Sequence, residues 1–213
     1  VEANGRRGLK GCRNRATGLV RVWRLWLPLV FLFGCGGGQG LFLHPPDVGE
    51  TFPDLPLAAP DTAADARYLG VRPTADTVRL SSLPADLIVL DLFDTDCLFC
   101  RRALGDLRRM RDRVEEQGLA GRVRFVGIAV GDSADDLRKY RRKYDVPMAV
   151  LPDPEQSTRR ALGRFGVPTL YGLRPRGGRL EVVARHEGAP AARWDDFLEA
   201  CLTGAGLPVS SGR

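Results

Sequence analysis

The chain has 213 residues, with 32 Lys plus Arg against 26 Asp plus Glu, and 44% of its residues are apolar. That length suits one domain with an appendage, and so apolar a composition without a 20–50-residue period excludes both a disordered chain and a repeat array. Seven basic residues (Arg6, Arg7, Lys10, Arg13, Arg15, Arg21, Arg24) and only Glu2 among the acids fall in 1–35, leaving 25 of each sign in 36–213, so no nucleic-acid partner is expected.

The basic leader runs into a nine-residue apolar stretch, 25–33. This fits the h-region of a secretory signal and is too short to span a membrane. Leu32-Phe-Gly-Cys35 closes it and is similar to the lipobox of bacterial lipoproteins, whose Cys becomes the lipidated first residue; Phe33 is bulkier than the residue usual there. Residues 1–35 are therefore expected to form a signal peptide with Cys35 as the lipidation site. The mature chain would be a membrane-anchored bacterial lipoprotein facing the periplasm. An uncleaved anchor and a cleaved soluble form are the alternatives. Residues 25–43 carry no charge, but five glycines and Pro28 interrupt them. All three place the domain outside the cytosol.

Residues 36–46 read as a tether and 47–213 as the folded domain. The near-continuous apolar run 87–93 has the pattern of a strand covered on both faces. Leu104, Leu107, Met110 and Val114 recur at helical spacing, which predicts a helix over about 98–117. A second strand follows at 123–130. Ser133-Ala-Asp-Asp136 resembles a capping box and opens a helix to about Tyr144. A short strand at 148–151 and a helix at about 155–164 come next. The segments 169–174 and 179–185 read as a hairpin around Pro175-Arg-Gly-Gly178, and a last helix runs from about 191 to 202. This alternation predicts an α/β fold with a mixed sheet of four to five strands and helices on both faces. The cationic stretch 138–143 reads as a solvated helix face.

The five cysteines have unlike contexts. Cys12 belongs to the leader and Cys35 to the lipobox. Cys201 shares a helical face with Trp194, Phe197 and Leu198, the setting of an inert core thiol. Cys97 and Cys100 form a Cys-x-x-Cys pair where a strand feeds a helix. There, helix N–H groups and the dipole favour a thiolate, and one helical turn brings both sulfurs within disulfide range. Cys97 at the solvent edge would attack and Cys100, one turn deeper, would resolve. A zinc site would need a second such pair, and c-type haem attachment would need a His after Cys100; the sequence has neither. A passive structural disulfide is the alternative.

Residues 47–203 resemble the thioredoxin superfamily, specifically its TlpA-like, redoxin-type, membrane-tethered thiol–disulfide oxidoreductases. The resemblance rests on 48–57, on Cys97–Cys100, on Gly166-Val-Pro-Thr169, and on Asp91 six residues before Cys97. It implies a thioredoxin-like fold, a cis Val167–Pro168 bond, and a peptide-binding edge at Val167, Pro168 and Thr169. Pro168 would also keep cations from the sulfurs. Asp91, set in an apolar strand, would have its pKa raised by burial and exchange a proton with Cys100. The other reading of Asp91 is an edge position or an ion pair with Arg. The chain departs from its relatives in carrying Asp96, with Asp94 nearby, where an aromatic is common, and Leu98-Phe99 where a Pro-containing pair is common. These acids oppose a thiolate while Arg101 and Arg102 favour it, so the direction of electron flow stays open.

The expected function is thiol–disulfide exchange with protein substrates through a mixed disulfide. The redox-active centre would be Cys97–Cys100, with no cofactor and no metal. Partners would be protein thiols or disulfides and a membrane electron donor or acceptor. A thiol peroxidase is a rival, although Asp94 and Leu90 stand where peroxiredoxins place Thr or Ser and Pro. A copper-binding redoxin module would need His186 as its third ligand.

Overall fold

The computed structural model describes residues 44–72, 74–189 and 193–209. The expected signal peptide, Cys12, Cys35 and most of the tether lie outside them. In chain order the elements are β1 (Thr51–Phe52), β2 (Leu57–Ala58), α1 (Ala63–Leu69), β3 (Thr77–Val78), a 3-10 turn (Leu80–Ser82), β4 (Leu87–Phe93) and α2 (Leu98–Glu116). There follow β5 (Val123–Val130), α3 (Ala134–Arg141), β6 (Ala149–Asp153), α4 (Ser157–Leu162), β7 (Thr169–Arg176), β8 (Arg179–Glu187) and α5 (Trp194–Ala205). No helix among the described residues is long and apolar enough to cross a membrane.

All seven residues of β4 are buried because the strand is central. It runs parallel to β5 on one side and antiparallel to β7 on the other, in a sheet of order β1-β8-β7-β4-β5-β6. Its side chains alternate between two cores. Leu87, Val89 and Phe93 face the stripe of α2 (Leu104, Leu107, Met110, Val114) together with Phe197 and Leu198 of α5 and Leu137 of α3. Ile88, Leu90 and Leu92 face Leu69 of α1 and Leu162 of α4. Each stripe residue removed from water is worth roughly 1.5–3 kcal/mol, so the stripe holds α2, and the cysteines at its start, against the sheet.

The sheet has six strands, not the four to five expected. The sixth is β1, where Thr51 and Phe52 pair with Glu181 and Leu180 of β8; two residues carry no periodicity by which to recognise a strand. The β2–β3 ladder and α1 are likewise additions to the expected elements. The hairpin turn is tighter than expected. β7 continues through Pro175 and Arg176, and only Gly177 and Gly178, at φ 56° and 75°, reverse the chain, a geometry that glycine adopts freely. α3 opens on the expected capping box, with Ser133 and Asp136 bonding each other's backbone N–H. Much of the cationic stretch after it is neutralised locally: Arg138 pairs with Asp135, Lys139 with Asp136, and Arg141 with Asp65.

Candidate active site: a dithiol over a buried carboxylate

The chain leaves β4 at Phe93 and enters α2 within four residues, so the intervening loop decides where the cysteines sit. Thr95 donates from its N–H to Asp132 Oδ2 at 2.9 Å and from its hydroxyl to Asp132 Oδ1 at 2.7 Å, tying the loop to the end of β5. The Asp96 N–H donates to Asp94 Oδ1 at 2.7 Å, the Cys97 N–H to the Asp94 carbonyl at 3.2 Å, and Arg101 to the Asp96 carbonyl at 2.8 Å.

Cys97 is the N-cap of α2, the place where a side chain normally takes up an orphan helix N–H. Its Sγ does so, accepting from the Cys100 N–H at 3.1 Å. The same thiol lies 3.6 Å from the Val167 carbonyl, to which it donates. Both cysteines are free thiols; Cys97 is partly exposed and Cys100 is buried. Burial, first of all, pushes the Cys100 thiol far up, and the neighbouring Cys97 and Asp91 push the same way.

Val167–Pro168 is cis and opens β7 opposite the cysteines. Val167 is half-buried, while Pro168 and Thr169 are buried. The Thr169 hydroxyl donates back to the Gly166 carbonyl at 2.7 Å, so Thr169 braces the loop from inside the sheet, where it is buried and flanked by Leu92 of β4 and Glu187 of β8. Gly188 N–H donates to the Pro168 carbonyl at 2.8 Å from the far side.

Asp91 is 1% exposed, and neither carboxylate oxygen has a hydrogen-bond partner among the described residues. Burial alone pushes its pKa from 3.8 up to about 8. This settles the two readings of the residue: it is neither at an edge nor paired with an arginine. Leu98 and Phe99, between the cysteines, are 54% and 59% exposed and form an apolar lip beside Cys97.

Tyr140 and Asp132 also belong to the site and escape sequence reasoning, because each reaches it from a distant element. Tyr140 packs its ring 5.8 Å from Phe93 and 4.8 Å from Tyr144, in the same core cluster as Cys100. With Asp96, Arg101, Asp132 and Lys143 it lines a cleft of about 450 Å³ beside the dithiol. A Tyr in the pattern Leu137-x-x-Tyr140 reads as an ordinary apolar helix face, so its hydroxyl gives no signal. His186 does not join the cysteines; its ring lies 6.4 Å from Phe197, and among the described residues no group of three His, Cys, Asp or Glu is placed to hold a metal. Cys201 is fully buried, and burial pushes its thiol up as well.

The sequence pattern of the AhpC/TSA family matches residues 48–177. None of the curated proteins compared matches the chain. Among solved structures, the chain is similar to a protein of Chlorobium tepidum provisionally named thiol:disulfide interchange protein DsbE. The identity is 21% over 75% of this chain and 99% of that one, with a TM-score of 0.57. It is also similar to the thioredoxin domain of the thiol-disulfide oxidoreductase BVU-2223 of Bacteroides vulgatus (12% identity, 72% and 97% covered, TM-score 0.54). Mycobacterium tuberculosis AhpC matches at 15% identity over 74% of this chain and 92% of that one, with a TM-score of 0.51. At these identities the structures share the thioredoxin-like fold.

Proposed function

The chain belongs to the AhpC/TSA family and is a thioredoxin-like redox enzyme, and we propose that it exchanges thiols and disulfides with protein substrates outside the cytosol. Deprotonated Cys97 Sγ attacks one sulfur of a substrate disulfide. The new S–S bond makes a mixed disulfide, and the other substrate sulfur leaves and takes a proton. Cys100 then passes its thiol proton to Asp91, attacks Cys97 Sγ, and expels the second substrate sulfur as a thiolate, which takes up a proton. The substrate gains two electrons and the Cys97–Cys100 disulfide closes. A membrane electron donor reopens it; run in reverse, a membrane acceptor does the converse.

The observation that carries this reading is the difference between the two sulfurs. Cys97 is accessible at a helix N-cap and faces the Val167 carbonyl, whereas Cys100 is sealed above a carboxyl with a pKa of about 8. A carboxyl titrating so close to neutrality can both take and return a proton during turnover. A visiting peptide would lie against the half-buried Val167, with Pro168 and Thr169 bracing the loop from beneath, and over the Leu98–Phe99 lip. Expression of a Cys100→Ser chain in the native host tests the mechanism: covalent adducts at Cys97 are expected, and their absence overturns it.

The anchored, periplasm-facing location rests on the apolar run at 25–33 and on Cys35. Its test is incorporation of labelled fatty acid, which Cys35→Ser should abolish while releasing the protein from the membrane fraction. A second reading, thiol peroxidase, draws on the family match and on the likeness to AhpC. Peroxide consumption that survives Cys100→Ser, without adducts to protein substrates, would favour it.

A further inference from the structure

The surface around Cys97 carries charges that the proposed cycle does not use. The cleft of about 450 Å³ beside the dithiol is walled by Asp96, which adjoins Cys97, by Arg101 of α2, and by Asp132, Asp136, Lys139 and Lys143 from β5 onward. Several of these charges are engaged inside the protein. Asp132 accepts both hydrogen bonds of Thr95, and Asp136 closes the capping box on Ser133 and pairs with Lys139. Arg101 and Lys143 are different, for neither has a carboxylate partner among the described residues. Arg101 donates to the Asp96 carbonyl at 2.8 Å and stands 5.7 Å from the centre of the Tyr144 ring, contacts that fix the guanidinium without neutralising it. Lys143 is exposed. Against these two cations the wall leaves one unengaged carboxylate, that of Asp96. Just outside, Arg102 lies 5.5 Å from the centre of the Phe99 ring and is balanced by Asp94, whose Oδ1 holds the Asp96 N–H. The cleft therefore keeps an unmet positive charge next to the thiol that meets the substrate.

Resting on the reading of Cys97 as the thiol that attacks protein disulfides, we propose that this cleft selects the substrate. It takes the carboxylate of a Glu or Asp one or two residues from the substrate's reacting cysteine and holds it between Arg101 and Lys143, while an apolar neighbour rests on the Leu98–Phe99 lip. The substrate class is then a protein whose cysteine is flanked by an acidic and an apolar residue. The reach is short. An extended chain advances roughly 3.3 Å per residue, and the cleft wall begins at the residue adjoining Cys97. The pre-set guanidinium suits a carboxylate, since its planar N–H groups lose little freedom on binding. A substrate Lys at the same place would face two cations with no partner of their own, so the site discriminates by repulsion as well as by attraction.

The test uses the reduced full chain and three peptide homodimers, each joined by one disulfide and identical except for Glu, Gln or Lys at the second position on either side of the cysteine. Released peptide thiol is followed by chromatography. At about 20 mM salt the rates should fall in the order Glu, Gln, Lys, with about ten-fold between the first and the last, and the spread should narrow to less than about two-fold at 0.5 M salt, where exposed charges are screened. Lys143→Glu should reverse the order of the Glu and Lys peptides. Arg179→Glu makes the same change in net charge at the opposite end of the β7–β8 hairpin and should leave the order as it stands. Both side chains are exposed, so neither substitution disturbs the core. Equal rates for the three peptides at low salt overturn the proposal, as does a Lys143→Glu chain that keeps the wild-type order, or an Arg179→Glu chain that shifts it equally. Release of thiol from the Gln peptide reports separately on the exchange reaction: if no peptide is reduced, the reading of Cys97 falls and the proposal falls with it.

Discussion

Replacing Asp91 by Asn tests the burial of this carboxyl through stability alone, without any substrate. A carboxyl whose pKa is 3.8 in the unfolded chain and about 8 in the native one binds its proton more tightly when folded. Between those values the native state holds more protons than the unfolded state, so stability falls as pH rises. Below pH 3.8 both states are protonated and the group contributes no penalty. Above pH 8 both are ionised and the penalty is complete. About four pH units at 1.36 kcal/mol each give ~6 kcal/mol at full ionisation, and ~4 kcal/mol of it is present at pH 7. Asn has nearly the same shape as a protonated Asp and does not titrate. Urea unfolding of both chains at pH 5, 7 and 9 should therefore show a gap that is small at pH 5 and widens in favour of Asp91→Asn to several kcal/mol at pH 9. A gap that stays constant across this range refutes the reasoning, since it would mean that Asp91 titrates alike in both states. The stabilised variant should also resolve its mixed disulfide slowly, the trade expected where an active site holds a group that the fold would otherwise reject.

Other predictions concern packing, capping and recognition. A Cβ on Gly172 would fall 2.5 Å from Cys201 Sγ and 3.2 Å from Val183, so Gly172→Ala should destabilise by about 1–3 kcal/mol, measured by urea unfolding. Adding Cys201→Ala should recover part of that loss, and a double-mutant cycle with no coupling would refute the contact. Ser133→Ala removes the N-cap of α3 and should cost about 1 kcal/mol in the same assay; an unchanged midpoint would show that the cap carries no stability. Phe99→Ala, at a 59% exposed position, should leave the melting temperature within about 1 kcal/mol equivalent while raising KM for a protein disulfide more than for a small-molecule disulfide. Equal effects on both substrates would remove Phe99 from the docking lip.

Much of the scaffold can be read without coordinates because it is written in local chemistry. Seven buried residues in a row make β4 a central strand, the 104–107–110–114 spacing makes α2 amphipathic, and Ser133 with Asp136 announces a helix start. The cysteines belong to this class too, since their pairing at one helix turn follows from their spacing. The segments 51–58 and 77–78 are different: their two-residue strands exist only because β8, or each other, supplies the missing hydrogen bonds.

What the amino-acid order determined by itself, then, is where the longer elements form and that Cys97 and Cys100 stand one helical turn apart at the start of α2. The tertiary structure decided the environment around them. Asp91 looks equally able to meet an arginine or nothing until β5, β7 and α2 close over it, and Tyr140 looks like ordinary filling until α3 brings it against Phe93 beside the cleft. Periodicity and capping act over a few residues along the chain, whereas desolvation depends on what distant segments bring to the same place, and that placement is set only when the layers pack.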